Sequence, residues 1–167
     1  MNKCIFLDRD GVLNVERGNY THTLQDFKII EGVKEALWIL KEKGYLLIII
    51  TNQAGISKGL YTEEALKICH DYLQKEVDNV IDALYFCPYH PDQTHSIARK
   101  PGSLMFEKAI AKFKIAPLAS YMVGDKERDL IPARKLEIKT IMVGKEEPSA
   151  FADFVVNDLR DALQVIE

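Results

Sequence analysis

Cys4-Ile5-Phe6-Leu7-Asp8-Arg9-Asp10-Gly11 places an apolar run directly before two carboxylates. The run is continuous rather than alternating, as is Leu46-Leu47-Ile48-Ile49-Ile50, so both read as strands buried on two faces. Between them Val33, Ala36, Leu37 and Leu40 recur at helical spacing, and Gly44 after Lys41 and Lys43 supplies a helix stop. The result is a β-α-β unit, whose two strands must lie parallel because the connection between them is a helix.

The alternation continues outward from that unit. A helix is expected near Thr62 to Asp78, with Thr62 as its N-cap and Glu63 and Glu64 in the first turn, followed by a strand at Ala83 to Phe86. A third helix covers Leu104 to Lys114, and Ala119 to Val123 and Ile138 to Val143 read as strands. The helix between those strands is expected to start near Asp129, since Pro132 is tolerated in a first turn, which makes Asp129 a candidate N-cap, a role compatible with a hydrogen bond to a metal-bound water. Phe154 to Val156 is a short last strand, and Asp158 to Asp161 opens a terminal helix. This pattern predicts an α/β fold: a single Rossmann-like three-layer domain over residues 1–167, with a mostly parallel sheet and no large cap domain.

Composition agrees with a globular chain and narrows its function. The length of 167 residues buries roughly 70% of the unfolded surface, enough for one core. With 22 basic and 25 acidic residues the net charge is −3, which leaves no excess of cations to grip a nucleic-acid backbone non-specifically. The longest apolar run is far below a membrane span, and Asp8 interrupts the first one too early for a signal-peptide core. Cys4, Cys69 and Cys87 form no Cys-x-x-Cys pair, so a cytoplasmic protein without disulfides is expected, with Cys4 and Cys69 as small buried hydrophobes. Trp38 is assigned to the core or an interface.

In an open α/β sheet, ligands bind beyond the carboxyl ends of the strands. Four such ends carry Asp8-Arg9-Asp10-Gly11, Thr51-Asn52-Gln53, Arg99-Lys100-Pro101 in the loop after the third strand, and Gly124-Asp125-Lys126 with Asp129. Asp8 and Asp10 point to the same side if the extended path continues, and such a pair holds a cation or keeps one acid protonated. Oxygen ligands of this kind suit Mg²⁺, with Asp125 as the third partner. Thr51 offers a hydroxyl donor and Lys100 a point charge to phosphoryl oxygens. Each of these residues alone is a common turn, strand-end or surface residue; their joint appearance at four strand ends carries the reading.

In order and spacing these segments resemble the four motifs of the haloacid dehalogenase superfamily of phosphatases, over nearly the whole chain. Within it the sequence is most similar to the subfamily of D-glycero-D-manno-heptose 1,7-bisphosphate phosphatases, which also includes the phosphatase domain of histidinol-phosphate phosphatases. The resemblance implies that Asp8 is the nucleophile forming an aspartyl-phosphate and Asp10 the acid, then the base. It implies one Mg²⁺ per chain held by Asp8, the backbone carbonyl of Asp10, and Asp125, with Thr51 and Lys100 neutralising the transferring phosphoryl group. It further implies substrate recognition by Arg99 and Lys126, and a pocket shaped by Glu16, Arg17, Gly18 and Asn19 with Asn52, Gln53 and Ala54. Such chemistry depends mainly on positioning and charge stabilisation.

One departure from that subfamily lies in its zinc loop, usually Cys-Pro-His-His-Pro with a later Cys-x-Cys before Arg-Lys-Pro. Here Cys87-Pro88-Tyr89-His90-Pro91 puts Tyr89 at a ligand position and Ser96-Ile97-Ala98 precedes Arg99. Tetrahedral zinc needs four ligands, so a zinc-free variant is expected, with Tyr89 and Pro91 packing in place of the metal and His90 and His95 as surface residues. His22 is expected near the pocket rim.

The expected activity is Mg²⁺-dependent hydrolysis of a small phosphosugar, a heptose 1,7-bisphosphate, losing its 7-phosphate in a precursor pathway to surface lipopolysaccharide. The alternatives are histidinol-phosphate hydrolysis and a non-catalytic phosphosugar-binding protein, the latter opposed by retention of every chemical group from Asp8 to Asp125. A monomer is expected.

Overall fold

A computed structural model describes residues 1–144 and 149–167. Its strands are β1 (Cys4–Leu7), β2 (Leu46–Asn52), β3 (Ala83–Cys87), β4 (Tyr121–Gly124), β5 (Lys139–Val143) and β6 (Phe154–Val156). Its helices are α1 (Val33–Glu42), α2 (Glu63–Glu76), α3 (Leu104–Phe113), α4 (Glu127–Lys135) and α5 (Leu159–Ala162). The strands form one six-stranded sheet in the order β3-β2-β1-β4-β5-β6, and every pairing is parallel.

Two apolar layers explain why the strands read as unbroken apolar runs. Ile5, Leu7, Leu47, Ile49 and Val123 face one way, onto Val33, Ala36, Leu37 and Leu40 of α1, Cys69 and Leu73 of α2, and Leu159 of α5. Cys4, Phe6, Ile48, Ile50 and Met122 face the other, onto Met105, Phe106 and Ala109 of α3 and Leu130 and Ala133 of α4. A strand covered on both faces has no position for a polar residue until it ends.

Most helix boundaries fall where the capping residues put them. Thr62 accepts a hydrogen bond from the Ala65 amide at the start of α2, and Asp158 accepts from the Arg160 and Asp161 amides at the start of α5. Gly44, at φ 84°, turns the chain after α1. Three expectations need correction. Ala119 belongs to a 3₁₀ turn, Pro117–Ala119, and β4 begins at Tyr121. Helix α4 begins at Glu127, so Pro132 lies inside it and Asp129 is not its N-cap. Of the two places expected for Trp38, the core is excluded, since the side chain is 42% exposed on α1.

The strand order reverses between β1 and β4, which stand side by side at the sheet's centre. The crevice beyond their carboxyl ends is therefore the binding position of this fold. Asp8 follows β1 there and Asp125 follows β4. Between β1 and α1, among the described residues, the chain forms only isolated bridges such as Asn14 with Ile29, so no folded cap covers the crevice.

Candidate active site

The backbone past β1 does not stay extended. Asp8 is still held to β4 through its amide on the Val123 carbonyl, 3.0 Å, but the chain then bends, and Gly11 adopts φ +89°. A Cβ on Gly11 would lie 2.5 Å from Asp125 Oδ2, so glycine is required both for the turn and for the approach of the two strand ends. Although the extended path assumed for Asp8 and Asp10 is absent, both side chains line one cavity.

Asp8 is 4% exposed and Lys100 1%, so their contact is made out of water. Lys100 Nζ donates to Asp8 Oδ1 at 2.9 Å and to the Ile50 carbonyl at 2.6 Å, and pairs with Asp129 Oδ1 at 2.7 Å. Burial acts to depress the Lys100 ammonium, but Asp129 and Asp8 hold it above its usual range. Burial raises the Asp8 carboxyl to about 6, with Lys100 opposing the rise and Asp129 and Asp10 adding to it.

Asp129, the third residue of α4, is fully buried. Its Oδ2 accepts from the Lys126 amide at 3.1 Å, closing the first turn of the helix, while Oδ1 faces Lys100. Gly124 makes room for it, since a Cβ there would lie 2.5 Å from the Asp129 Cβ. Asp8, Asp125 and Asp129 each present a carboxylate oxygen within 4.8 Å of the others. Asp125 Oδ1 is buried without a hydrogen-bond partner among the described residues, and burial raises the Asp125 carboxyl. An oxygen-only cluster with an orphaned buried oxygen fits a hard divalent cation, which would also reverse both upward shifts.

Asp10 is gripped from three sides. Arg9 chelates it through Nε at 3.2 Å and Nη2 at 2.9 Å, Asn14 Nδ2 donates at 2.9 Å, and Gln53 Nε2 donates at 3.1 Å. Arg9 is itself buried and also donates to the Thr21 carbonyl at 2.7 Å, tying the loop over the cavity to the acid. Gln53 Nε2 reaches the Thr51 hydroxyl at 3.0 Å as well, leaving that hydroxyl's proton for a ligand. Asn52 and Lys100 exchange two hydrogen bonds: Asn52 Nδ2 to the Lys100 carbonyl at 3.1 Å, and the Lys100 amide to Asn52 Oδ1 at 3.0 Å. Asn52 thus fixes the loop that carries Lys100.

The cavity over Asp8 has a volume of about 300 Å³ and brings together Asp8, Asp10, Glu16, Gly18, Asn19, Thr51, Asn52 and Gln53. It leaves out several expected residues. Arg17 pairs with Asp26 at 2.7 Å on an outer groove, and Ala54 is buried beneath the turn after β2. Lys126 is held 2.5 Å from Asp125, and Arg99 Nη1 donates to the Tyr89 carbonyl at 3.2 Å beside a neighbouring depression. Sequence reading overlooked Tyr20, Thr21 and Arg128 in the cavity wall, and Arg9 and Tyr61 behind it. Arg9 carried a signal, a cation between two carboxylates at a strand end; the others arrive through tertiary packing alone.

The loop after β3 is not held as expected. Tyr89 is 46% exposed and Pro91 is also exposed, so neither packs as a staple. Its anchor is Ser57 in the turn after β2: the His90 amide donates to Ser57 Oγ at 2.9 Å, the Ser57 amide to the Pro88 carbonyl at 3.1 Å, and Gln93 Nε2 to the Ser57 carbonyl at 2.6 Å. His22 stacks on Tyr61, ring centroids 4.8 Å apart, and is not among the residues that line the cavity.

A buried carboxylate beside an ammonium and an acid cluster, at the switch point of a parallel sheet, is the arrangement of a hydrolase of the haloacid dehalogenase type. The family model for haloacid dehalogenase-like hydrolases matches residues 9–143, and the chain belongs to that family. It is 40% identical over 179 residues to the D-glycero-beta-D-manno-heptose-1,7-bisphosphate 7-phosphatase of Haemophilus ducreyi, covering 98% of each chain. The enzyme of the same name from Haemophilus influenzae is 38% identical, covering 100% of this chain and 98% of its own. Among solved structures, D,D-heptose 1,7-bisphosphate phosphatase from B. bronchiseptica, complexed with magnesium and phosphate, superposes with a TM-score of 0.88 at 24% identity, covering 98% of this chain and 97% of that one. Among the described residues, no helix is long and apolar enough to cross a membrane.

Proposed function

We propose that the chain is a phosphatase that removes the 7-phosphate of D-glycero-D-manno-heptose 1,7-bisphosphate, a precursor of lipopolysaccharide, to leave the 1-phosphate. The observation that carries the reading is the buried Asp8–Lys100–Asp129 chain of contacts at the floor of a cavity sized for one sugar. The names of the full-length relatives supply the substrate, and they favour neither histidinol phosphate nor a non-catalytic role.

Asp8 attacks phosphorus while the bond to the C7 oxygen breaks, and Asp10 gives that oxygen a proton. To do so Asp10 gives up at least one of the acceptor contacts that Arg9, Asn14 and Gln53 make with it. Asp10 then takes a proton from water, which attacks the aspartyl-phosphate and releases phosphate with Asp8 restored. Thr51 and Lys100 meet the charge that develops on the phosphoryl oxygens, and Asn52 and Gln53 hold those two residues in place. Asp8, Asp125 and the Asp10 carbonyl would hold one Mg²⁺, Asp129 lying in the same carboxylate cluster, and the ion would supply charge neutralisation at the phosphoryl group. Glu16, Gly18 and Asn19 close the pocket around the sugar.

The loop after β3 works without zinc, a reading supported by its hydrogen bonds to Ser57 and by His90 Nδ1 facing Asp92 at 3.1 Å. Residues 1–167 act as one domain and as a monomer, the single domain being supported by the one sheet whose strand ends carry the site. Three free, buried cysteines support a cytoplasmic setting. The test is phosphate release, with Mg²⁺ present, from heptose 1,7-bisphosphate, histidinol phosphate and a set of nucleotides and sugar monophosphates. The heptose bisphosphate is expected to give the highest kcat/KM; a higher value for histidinol phosphate would overturn the assignment.

A further inference from the structure

The cations near the cavity are not equally available to a ligand. Lys100 is enclosed by Asp8 and Asp129, Lys126 is held by Asp125 at 2.5 Å, and Arg17 by Asp26 at 2.7 Å. Arg99 uses Nη1 on the Tyr89 carbonyl and lies against the depression beside the cavity. Arg128 differs from all of them. It lines the cavity over Asp8, and among the described residues its side chain has no ion pair and no hydrogen bond.

Its position is also set by the chemistry below it. Arg128 is the second residue of α4, one before Asp129, whose carboxylate is locked to the helix start by the Lys126 amide and to Asp8 through Lys100. The backbone under Arg128 is therefore fixed relative to Asp8, while the residue itself lines the cavity. Burial and the nearby charge of Arg128 both lower the Arg99 guanidinium, which places two like charges within reach of one another near the pocket mouth. A dianion would relieve that repulsion. Glu16, in the same cavity, offers a carboxylate that suits sugar hydroxyls and repels phosphate, so the wall is chemically divided.

We infer that Arg128 seats the phosphate that is not transferred and thereby makes the enzyme prefer a bisphosphate to a monophosphate. The inference rests on the sugar-bisphosphate reading and adds to it a specificity-determining residue outside the four motifs.

The test compares kcat/KM on heptose 1,7-bisphosphate and on heptose 7-phosphate for the parent, Arg128→Ala, Arg128→Lys and Arg99→Ala. In Arg128→Ala the ratio of the two is expected to fall about 10–100-fold, mainly through a raised KM for the bisphosphate, the scale of one charged hydrogen-bonding contact. Arg128→Lys should recover part of it, and Arg99→Ala should lower the ratio less. A ratio in Arg128→Ala within twofold of the parent's would overturn the inference. A parent ratio near one would instead remove the heptose reading, and Arg128 would then be judged by inhibition of p-nitrophenyl phosphate hydrolysis. There, Arg128→Ala should weaken glucose 1,6-bisphosphate at least tenfold more than glucose 6-phosphate, and equal weakening would overturn it.

Discussion

The Tyr61 hydroxyl donates a 2.5 Å hydrogen bond to Gln53 Oε1, and this contact decides which way the Gln53 amide faces. With Oε1 occupied by a donor, Nε2 must point to Asp10 and Thr51, which it reaches at 3.1 and 3.0 Å. Tyr61 never enters the cavity wall, but it orders two groups that do.

Tyr61→Phe should therefore lower kcat about 3–10-fold with little change in KM, the worth of one neutral hydrogen bond acting through a neighbour. Steady-state kinetics on the heptose bisphosphate would show it. An unchanged kcat would mean that Gln53 keeps its orientation without the phenol.

Asp8→Asn should abolish turnover, because an amide cannot form the acyl-phosphate. Asp10→Asn should lower turnover about 10²–10⁴-fold, the usual worth of a general acid–base. Asp125→Ala should act through metal affinity instead, so that a Mg²⁺ titration recovers part of the lost rate. Turnover by Asp8→Asn near the parent rate would sink the covalent route, and an Asp125→Ala defect unmoved by Mg²⁺ would remove that residue from the metal site.

The sequence announces this fold because a parallel sheet covered on both faces leaves strands such as Cys4–Leu7 without a polar residue until the chemistry begins. The four strand-end motifs are legible for the same reason. What local pattern misses is set by partners far along the chain. Helix α4 starts earlier than Pro132 alone predicts because Asp129, anchored by Lys100 and the Lys126 amide, holds the first turn in place around an internal proline. Tyr89 and Pro91 look like packing residues by composition, yet the loop hangs on Ser57, 33 residues before His90 in the chain. Arg128 reads as one more surface charge on a helix until the fold turns it over Asp8.

Protein purified without added metal should contain far less than one zinc per chain by elemental analysis. The Ser57 contacts should carry the loop instead, so Ser57→Ala, which removes the acceptor of the His90 amide, should increase amide exchange in residues 88–96. Stoichiometric zinc that resists chelation would show that His90, His95 and Cys87 rebuild a site.

Lys100 is the counter-charge of a buried cluster, and its removal should be felt in stability before any substrate is added. Lys100→Met fills similar space but leaves Asp8 and Asp129 without the ammonium that touches both. Breaking a buried pair in this way costs about 3–5 kcal/mol, which corresponds to a fall in Tm of roughly 6–20 °C for a chain of this size. The fall should be largest in a chelator at neutral pH. Mg²⁺ at a hundred times its Kd should return up to about 2.7 kcal/mol, because the ion binds only the folded cluster. Lower pH should also narrow the deficit. The folded state raises the Asp8 carboxyl to about 6 even with Lys100 present, so it binds a proton more tightly folded than unfolded, and stability from that group rises as pH falls through 6. Thermal melts of parent and variant at pH 7.5 and 5.5, each with chelator and with Mg²⁺, would check all three effects. A variant that melts with the parent in chelator at pH 7.5 would show that Lys100 does not neutralise the cluster, and that its contact with Asp8 matters only during phosphoryl transfer.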